Sequence, residues 1–357
     1  MFARAIAVVS SCLLSAGAPH VADAAPASPP APAPGALSAP SSAAAPGALS
    51  APASAAVPGA VSAPWLVPAP GAAPARSAGS GSDECPDAAR TAGRGPGRGP
   101  EPRAPGPEQV AGLIADLDAR RSALRRTDRE PVTVPTWIHV ITDGPRGASD
   151  SAVREQMTVL DAAYGGRLGG ADTGIRFRLA GLTRTDNPAW FRDPLSHEQA
   201  IKQMRRGGPE TLNLYVAQLG RLVLGYSTYP HQYAGAPVLD GVVVDWRSLP
   251  GGSLRDFDRG YTGVHEIGHW LGLLHTFENG CQGPGDAIAD TPPEAHPTEG
   301  CPEGKDTCPG SGPDPIHNFM DYSADACMSE FTEGQALRMR EAWAVYRQTD
   351  QDITLDR

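Results

Sequence analysis

The sequence predicts an α+β domain over residues 131–357, preceded by a long leader that has no core of its own. Of the 37 prolines in the 357-residue chain, 20 lie before residue 108. That part is also rich in Ala, Gly and Ser, so it buries too little apolar surface to offset its chain entropy. After residue 131, strand patterns are followed by helical ones, which favours a helix-backed sheet.

The domain begins with a β-branched and aromatic strand, Val132–Ile141, closed by a turn at Asp143-Gly144-Pro145. A helix is predicted at about Asp150–Tyr164. Thr332-Glu-Gly-Gln335 fits a capping box that opens a C-terminal helix. The further predicted strands are Ile175–Leu182, Thr211–Ala217 and Gly241–Trp246.

The charge distribution divides the chain at the same place. Residues 131–357 hold 30 acidic and 19 basic side chains, whereas the residues before them hold 10 and 11. A protein that binds nucleic acid usually presents a basic face. The acidic balance therefore argues against a nucleic-acid partner. We also expect the protein to be a monomer.

The N-terminus has the pattern of an export signal. Residues 1–24 combine a positive start, a mostly apolar run and small residues at Ala22 and Ala24 before the expected cleavage site. The apolar run is too short for a stable membrane span, so we expect a secreted, extracellular protein. Within residues 25–82 the unit Pro-Gly-Ala-Leu-Ser-Ala-Pro occurs at Pro34–Pro40, Pro46–Pro52 and, with Val61 in place of Leu, Pro58–Pro64. This composition predicts a low-complexity tether through a cell envelope.

Residues 83–130 differ from the tether in composition. A Gly/Pro/Arg-rich stretch over residues 93–107 is followed by apolar residues at helical spacing, which predict a helix over Glu108–Arg126 with Pro107 at its start. One amphipathic helix is not stable alone in water. It is expected either to dock on the neighbouring domain or to stay partly disordered.

The segment VHEIGHWLGLLH carries the chemistry. His265 and His269 are four residues apart, so on a helix their imidazoles share one face and converge on one metal ion. Glu266 stands where its carboxylate reaches water at an open coordination position. Gly272 lets the chain leave the helix by a left-handed turn, which returns His275 as a third ligand. Three histidines with a free carboxylate are typical of an open, catalytic zinc site.

These residues, with HTFENGC, DTPP, NFMDY and ACMSEFTEGQ further along the chain, resemble the pappalysin family of metzincin metallopeptidases, in particular its microbial, ulilysin-like branch. The similarity runs in the same order from about Pro131 to Met339. It implies a metzincin-type catalytic domain: a twisted mixed sheet, backing and active-site helices, and a loop-rich C-terminal subdomain. It also implies a secreted zinc endopeptidase for protein or peptide substrates, with residues 83–130 as its pro-segment.

The resemblance assigns roles to single residues. Glu266 would be the general base, taking a proton from water whose pKa the zinc lowers to about 7. Met320 would form the Met-turn beneath the metal, and Tyr322 would stabilise the oxyanion. The zinc ligands would be His265, His269 and His275.

Two rival interpretations differ in how they treat these residues. A secreted binding or adhesion module would hold the metal without turnover, but it would not need Glu266. Another class of zinc enzyme, such as an aminopeptidase or a deformylase, would explain HExxH but not Gly272, His275 and the Met320 segment.

Four cysteines cluster after residue 280, and spacing alone allows three pairings. The family pattern pairs Cys281 with Cys308 and Cys301 with Cys327; a second zinc on these thiols is the rival interpretation. The family also binds Ca²⁺ in this loop, where hard oxygen ligands are available, although solvated acidic residues are the alternative. The candidate calcium ligands are Asp286, Asp290 and Thr291.

Once the signal is removed, Cys85 is left alone in the pro-segment. Some metzincins stay latent because a pro-segment cysteine occupies the open zinc position, so Cys85 is a predicted latency switch; an unpaired thiol in a flexible tail is the alternative. Activation would then need cleavage between Cys85 and Pro131. Close relatives favour basic residues at the scissile position, and Asp325 lies near the segment expected to wall the primed-side pocket.

Overall fold

The computed structural model describes residues 98–122, 131–220 and 222–348. The predicted signal at 1–24, the tether at 25–82 and Cys85 lie outside these residues. The described part contains a five-stranded mixed sheet with helices on both faces. The predicted α+β class is confirmed.

The sheet has the strand order β2-β1-β3-β5-β4. Four strands run parallel, and β4 is antiparallel to β5 at the edge. All strands predicted from the sequence are present within a few residues of their expected bounds. The strands are β1 Val132–Thr142, β2 Ile175–Asp186, β3 Leu212–Ala217, β4 Gly225–Ser227 and β5 Val242–Asp245.

Strand β4 is absent from the sequence-based prediction. It has only three residues and begins with Gly225, so it is too short to show the alternation by which strands are recognised. Its pairing with Val242–Val244 of β5 defines it instead.

Both faces of the sheet are covered. The helices are α1 Pro107–Arg121, α2 Asp150–Tyr164, α3 Pro188–Arg192, α4 Glu198–Lys202, α5 Tyr261–Trp270 and α6 Glu333–Ala342. The apolar side chains of α2 and α5 form the main core with one face of the sheet, while α3 and α4 cover the other face. No helix among the described residues is long and apolar enough to cross a membrane.

Helix α5 is buried at all ten of its positions. Helix α2 holds it in place through the Tyr164 hydroxyl, which donates to the Val264 carbonyl at 2.9 Å, and through the Gln156 amide, which donates to the Gly260 carbonyl at 2.9 Å. The N-terminal half of α5 is therefore fixed by side chains as well as by packing.

Helix α5 ends in a Schellman motif, which satisfies two of its last carbonyls. The Gly272 N–H donates to the His269 carbonyl at 2.9 Å, and the Leu273 N–H donates to the Gly268 carbonyl at 2.9 Å. Gly272 has φ +96°, a conformation that side chains with a Cβ disfavour. The left-handed turn predicted at Gly272 is confirmed.

Helix α1 packs against the domain, which is one of the two expectations for this amphipathic helix. Val110 is fully buried in a small apolar cluster with Tyr229 and Leu274. The helix ends at Arg121 rather than at residue 126, and residues 123–130 are outside the described part of the chain.

The polypeptide between α5 and α6 is described without helix or strand, so other interactions hold it. Two disulfides join the pairs that the resemblance implies, Cys281 with Cys308 and Cys301 with Cys327. At the start of α6, the Thr332 hydroxyl accepts from the Gln335 N–H at 3.1 Å, and the Gln335 amide oxygen accepts from the Thr332 N–H at 2.9 Å. The predicted capping box is confirmed.

Replacing Gly268 with alanine tests how tightly α5 packs on the loop beneath it. A Cβ at Gly268 would lie 2.5 Å from the Met320 sulfur, whereas a Cβ at Gly112 in α1 meets nothing within 4 Å. We expect Gly268→Ala to lower the free energy of unfolding by about 1–3 kcal/mol. Gly112→Ala is the matched control, and its better helix propensity should raise stability by up to about 1 kcal/mol. Thermal unfolding of the full chain, followed by circular dichroism, measures both; equal effects would contradict the tight contact.

Candidate active site

Three imidazoles meet at one buried point. His265 and His269 lie one turn apart on α5, and the turn at Gly272 brings His275 back beside them. The Nε2 atom of His269 is 3.1 Å from that of His265 and 3.1 Å from that of His275. All three side chains are 3% exposed or less. This is the convergence that the sequence spacing predicts.

Backbone carbonyls orient two of the rings. The Nδ1 of His265 donates to the Phe319 carbonyl at 2.7 Å, and the Nδ1 of His269 donates to the Leu273 carbonyl at 2.8 Å. Each hydrogen bond places the ring proton on Nδ1 and leaves the lone pair of Nε2 free. Metal-binding histidines are usually oriented by a hydrogen bond of this kind. Burial lowers the pKa of both histidines, so they are held in the neutral, ligating form.

Met320, the residue predicted to form the Met-turn, packs against the α5 turn that carries the cluster. Its side chain is fully buried, and its carbonyl accepts from the Thr276 N–H at 3.3 Å. The close approach to Gly268 means that the sulfur supports the helix turn between His265 and His269.

Tyr322 lies beside two of the three histidines. Its ring centroid is 5.1 Å from that of His275 and 5.6 Å from that of His265. Burial, followed by the nearby Glu101 carboxylate, raises the pKa of the phenol. Tyr322 therefore keeps its proton and can donate a hydrogen bond to a negative oxygen.

Glu266 is fully buried beside the edge strand. A Cβ at Gly225 of β4 would lie 2.6 Å from Glu266 Cγ, so only glycine leaves room for this carboxylate. Burial, followed by the Glu101 carboxylate, raises the pKa of Glu266, whereas Arg98 acts in the opposite direction. A carboxyl whose pKa lies above its ordinary value is better matched to proton transfer near neutral pH.

Two residues of the site, Arg98 and Glu101, are absent from the sequence-based prediction. Both lie before α1. Glu101 joins the three histidines in a group whose ligand atoms all lie within 4.8 Å of one another. The available signal was weak: Glu101 is the sole acidic residue between Asp87 and Glu108, in a stretch dominated by Gly, Pro and Arg.

The residues present fit a zinc ion. Three imidazole nitrogens with one carboxylate oxygen are a common Zn²⁺ donor set, and Zn–N bonds of about 2.0–2.1 Å need ring nitrogens that approach each other closely. The arrangement can bind a metal and place a base and a phenol beside it.

The candidate calcium residues lie in one loop but differ in what they contact. The Asp290 carboxylate accepts from the Thr332 hydroxyl and from the Gly334 N–H, both at 2.8 Å, so it caps α6. Asp286 Oδ2 and Thr291 Oγ1 are buried and have no hydrogen-bond partner outside this pair within the described part of the chain. Burial raises the pKa of Asp286 to about 7.

This site on this mixed sheet defines a metallopeptidase of the metzincin class. The family model described as pregnancy-associated plasma protein-A, a peptidase family, matches residues 225–344. An extracellular metalloprotease 1 of Coccidioides posadasii is 40% identical over 67% of this chain and 83% of its own length. An extracellular metalloprotease of Verticillium alfalfae is 44% identical over 66% of this chain and 84% of its own. The chain belongs to the pappalysin family of peptidases, as its motifs indicate.

Solved structures agree with this assignment. A mutant of Tannerella forsythia promirolysin has a TM-score of 0.58 and 26% identity, covering 67% of this chain and 92% of its own. Mature mirolysin of the same organism, in complex with a cleaved peptide, has a TM-score of 0.54 and 27% identity, covering 64% and 99%. The predicted metzincin fold and the predicted enzyme class are confirmed.

Metal analysis tests the histidine cluster. We expect one metal ion per chain in the wild type and a loss of metal in His269→Ala, because two imidazoles bind far more weakly than three. His296 is exposed and outside the cluster, so His296→Ala serves as the matched control and should retain its metal. Inductively coupled plasma mass spectrometry of the dialysed proteins gives both results; metal loss from both variants alike would count against the assignment.

Proposed function

We propose that the protein is a secreted, monomeric zinc endopeptidase that is made as a latent precursor. The observation that carries this proposal is the convergence of His265, His269 and His275 on one point with the Glu266 carboxylate beside it. The fungal relatives are named extracellular metalloproteases, which supports export by the predicted signal at residues 1–24.

The chemistry follows from the donor set. A bound Zn²⁺ would polarise the scissile carbonyl and lower the pKa of the attacking water to about 7. Glu266 would accept the proton from that water and then pass it to the leaving amine. Tyr322 would donate its phenolic hydrogen to the oxyanion that forms on the carbonyl oxygen. Glu266 therefore transfers the proton, whereas Tyr322 stabilises the negative charge that develops on the carbonyl oxygen.

The edge of the sheet supports an extended peptide as substrate. Strand β4 is an edge strand beside Glu266, and edge strands bind peptides through backbone hydrogen bonds. A segment of this chain already makes a backbone hydrogen bond just before β4, because the Gly99 N–H donates to the carbonyl of Leu222, three residues ahead of the strand, at 2.6 Å. Asp325 is 1% exposed with one carboxylate oxygen unpaired within the described residues, which favours a basic side chain near the scissile bond.

The Glu266→Ala variant tests the assigned base. We expect it to bind as much zinc as the wild type but to cleave an unfolded protein about 10²- to 10⁴-fold more slowly, since the water would lose its proton acceptor. Both proteins receive the same activating treatment, and a zinc chelator should abolish the wild-type activity. Retained activity in Glu266→Ala would remove the base, whereas a zinc-loaded wild type without any peptidase activity would favour a binding module.

We further infer that Ca²⁺ binds the loop at Asp286 and Thr291. Two buried oxygens with no partner outside their own pair, in one irregular loop, are the observation that supports it, because buried polar atoms rarely stay unsatisfied and Ca²⁺ accepts carboxylate, hydroxyl and backbone oxygens. Asp290 would contribute indirectly, by fixing the loop to the start of α6.

The calcium site predicts a ligand-dependent stability. Added Ca²⁺ should raise the melting temperature of the calcium-depleted protein, because a ligand that binds only the folded state stabilises it. Asp286→Asn should lose this increase, whereas Asp306→Asn, a change at an exposed position, should keep it. Differential scanning fluorimetry measures the shift, with zinc content checked in each sample. An unchanged melting temperature in the wild type would contradict calcium binding.

A further inference from the structure

A short segment before α1 enters the active site and contacts every group that the reaction needs. It comprises Arg98, Gly99, Pro100 and Glu101, and we name it the latch segment. The side chains of Arg98 and Glu101 are only 2% and 4% exposed. Two charged side chains are seldom buried this deeply unless they are paired or bind a metal.

Glu101 faces the histidine cluster as a fourth ligand would. Its Oε1 is 3.0 Å from His265 Nε2 and 3.3 Å from His275 Nε2, and its Oε2 is 3.3 Å from His269 Nε2. A catalytic zinc site keeps one position open for water, whereas a site with four protein ligands is closed. A carboxylate in this position therefore excludes the water that peptide hydrolysis requires.

Arg98 contacts the residues that would handle protons. Its Nη2 is 2.5 Å from Glu266 Oε1 and 2.9 Å from Glu101 Oε1, and its guanidinium carbon lies 4.7 Å from the centre of the Tyr322 ring. An ion pair with a guanidinium occupies one of the two oxygens with which Glu266 could accept a proton and favours the ionised carboxylate. Arg98 thus blocks the base while Glu101 blocks the metal.

The backbone of the latch segment fits the edge of the domain closely. The Gly99 N–H bonds to Leu222, and a Cβ at Gly99 would lie 2.8 Å from Leu222 Cβ. Glycine at this position lets the chain approach closely enough for both neighbouring charges to reach the site.

Contacts further along hold the latch segment in place. Arg103 forms an ion pair with Glu198 of α4. Helix α1 is fixed at its far end, where the Tyr346 hydroxyl donates to Asp116 at 2.6 Å and Arg121 pairs with Glu341 at 3.1 Å. The connection from α1 to β1 passes through residues 123–130, which include Arg125, Arg126 and Arg129. A single cut there would separate the latch segment and α1 from the domain.

We propose that Glu101, supported by Arg98, is the latency switch of this precursor, and that the switch is a carboxylate rather than the thiol of Cys85. This rests on the proposed zinc peptidase function. One coordination position cannot hold both groups, and the described structure has Glu101 in it. Cleavage within residues 123–130 removes the restraint, after which the latch segment leaves and the base becomes free.

Full-length precursors carrying single substitutions test the proposal. Glu101→Ala is expected to raise the peptidase activity of the uncut precursor by about tenfold or more, because it shifts the balance from the closed to the open site. Arg98→Ala should raise it less, since the carboxylate still blocks the metal. Cys85→Ala and the exposed control Glu108→Ala should leave it unchanged. Intact mass at the time of assay shows that no precursor has been cut, and thermal melts show that all variants are folded.

Cobalt spectroscopy gives a readout that does not depend on turnover. When Co²⁺ replaces zinc, a thiolate ligand produces strong near-ultraviolet charge-transfer absorption, which a carboxylate does not. We expect no such band in the wild-type precursor and a change in the visible cobalt bands only in Glu101→Ala and, more weakly, Arg98→Ala.

The outcomes distinguish a failure of the carboxylate switch from a failure of the proposed peptidase function. A thiolate band that disappears in Cys85→Ala, or a folded Glu101→Ala precursor that is as inactive as the wild type while the processed wild type is active, would overturn the carboxylate switch. If the processed wild type bound metal but never cleaved protein, the peptidase function would fail, and the cobalt spectra would still decide whether Glu101 is a ligand.

Discussion

Three imidazoles must meet at one buried point, and the structure around α5 depends on this constraint. A helix supplies two of them at the correct spacing but cannot supply the third, since its next turn would carry the chain away. The Schellman motif at Gly272 ends α5 within two residues and directs His275 back. The same turn exposes the Leu273 carbonyl, which orients His269. The element that ends the helix therefore also fixes a ligand.

The loop after α5 also holds the histidine cluster in position. The Phe319 carbonyl orients His265, and the adjacent Met320 fills the space that Gly268 leaves open. Two glycines in contact with the site thus have a steric role: Gly268 admits the methionine, and Gly225 admits the Glu266 carboxylate. Close packing of this kind keeps the groups within the small tolerances that catalysis needs.

The sequence predicted what depends on local spacing. The histidines, Glu266, Gly272 and the Thr332 capping box each act within a few residues of their partners, so the chain order contains their geometry. Strand β4 and the latch segment could not be predicted in this way, because β4 is defined by its pairing with β5 and Glu101 meets residues 164 or more positions away. A Gly/Pro-rich stretch also carries no periodicity that would show which of its charges is buried.

The charges of the latch segment explain how a carboxylate can close a site that already contains Glu266. Two buried carboxylates near each other are unfavourable, and together with burial they would drive one of them to take up a proton. Arg98 lies between Glu101 and Glu266 and bonds to both, so its positive charge offsets part of the repulsion between the two carboxylates. Because Arg98 and Glu101 carry opposite charges and pair with each other, the latch segment brings no net charge into the buried site. A lone acidic residue at position 101 would bring an uncompensated negative charge into the site. We therefore regard Arg98, three residues earlier, as part of the same latency switch.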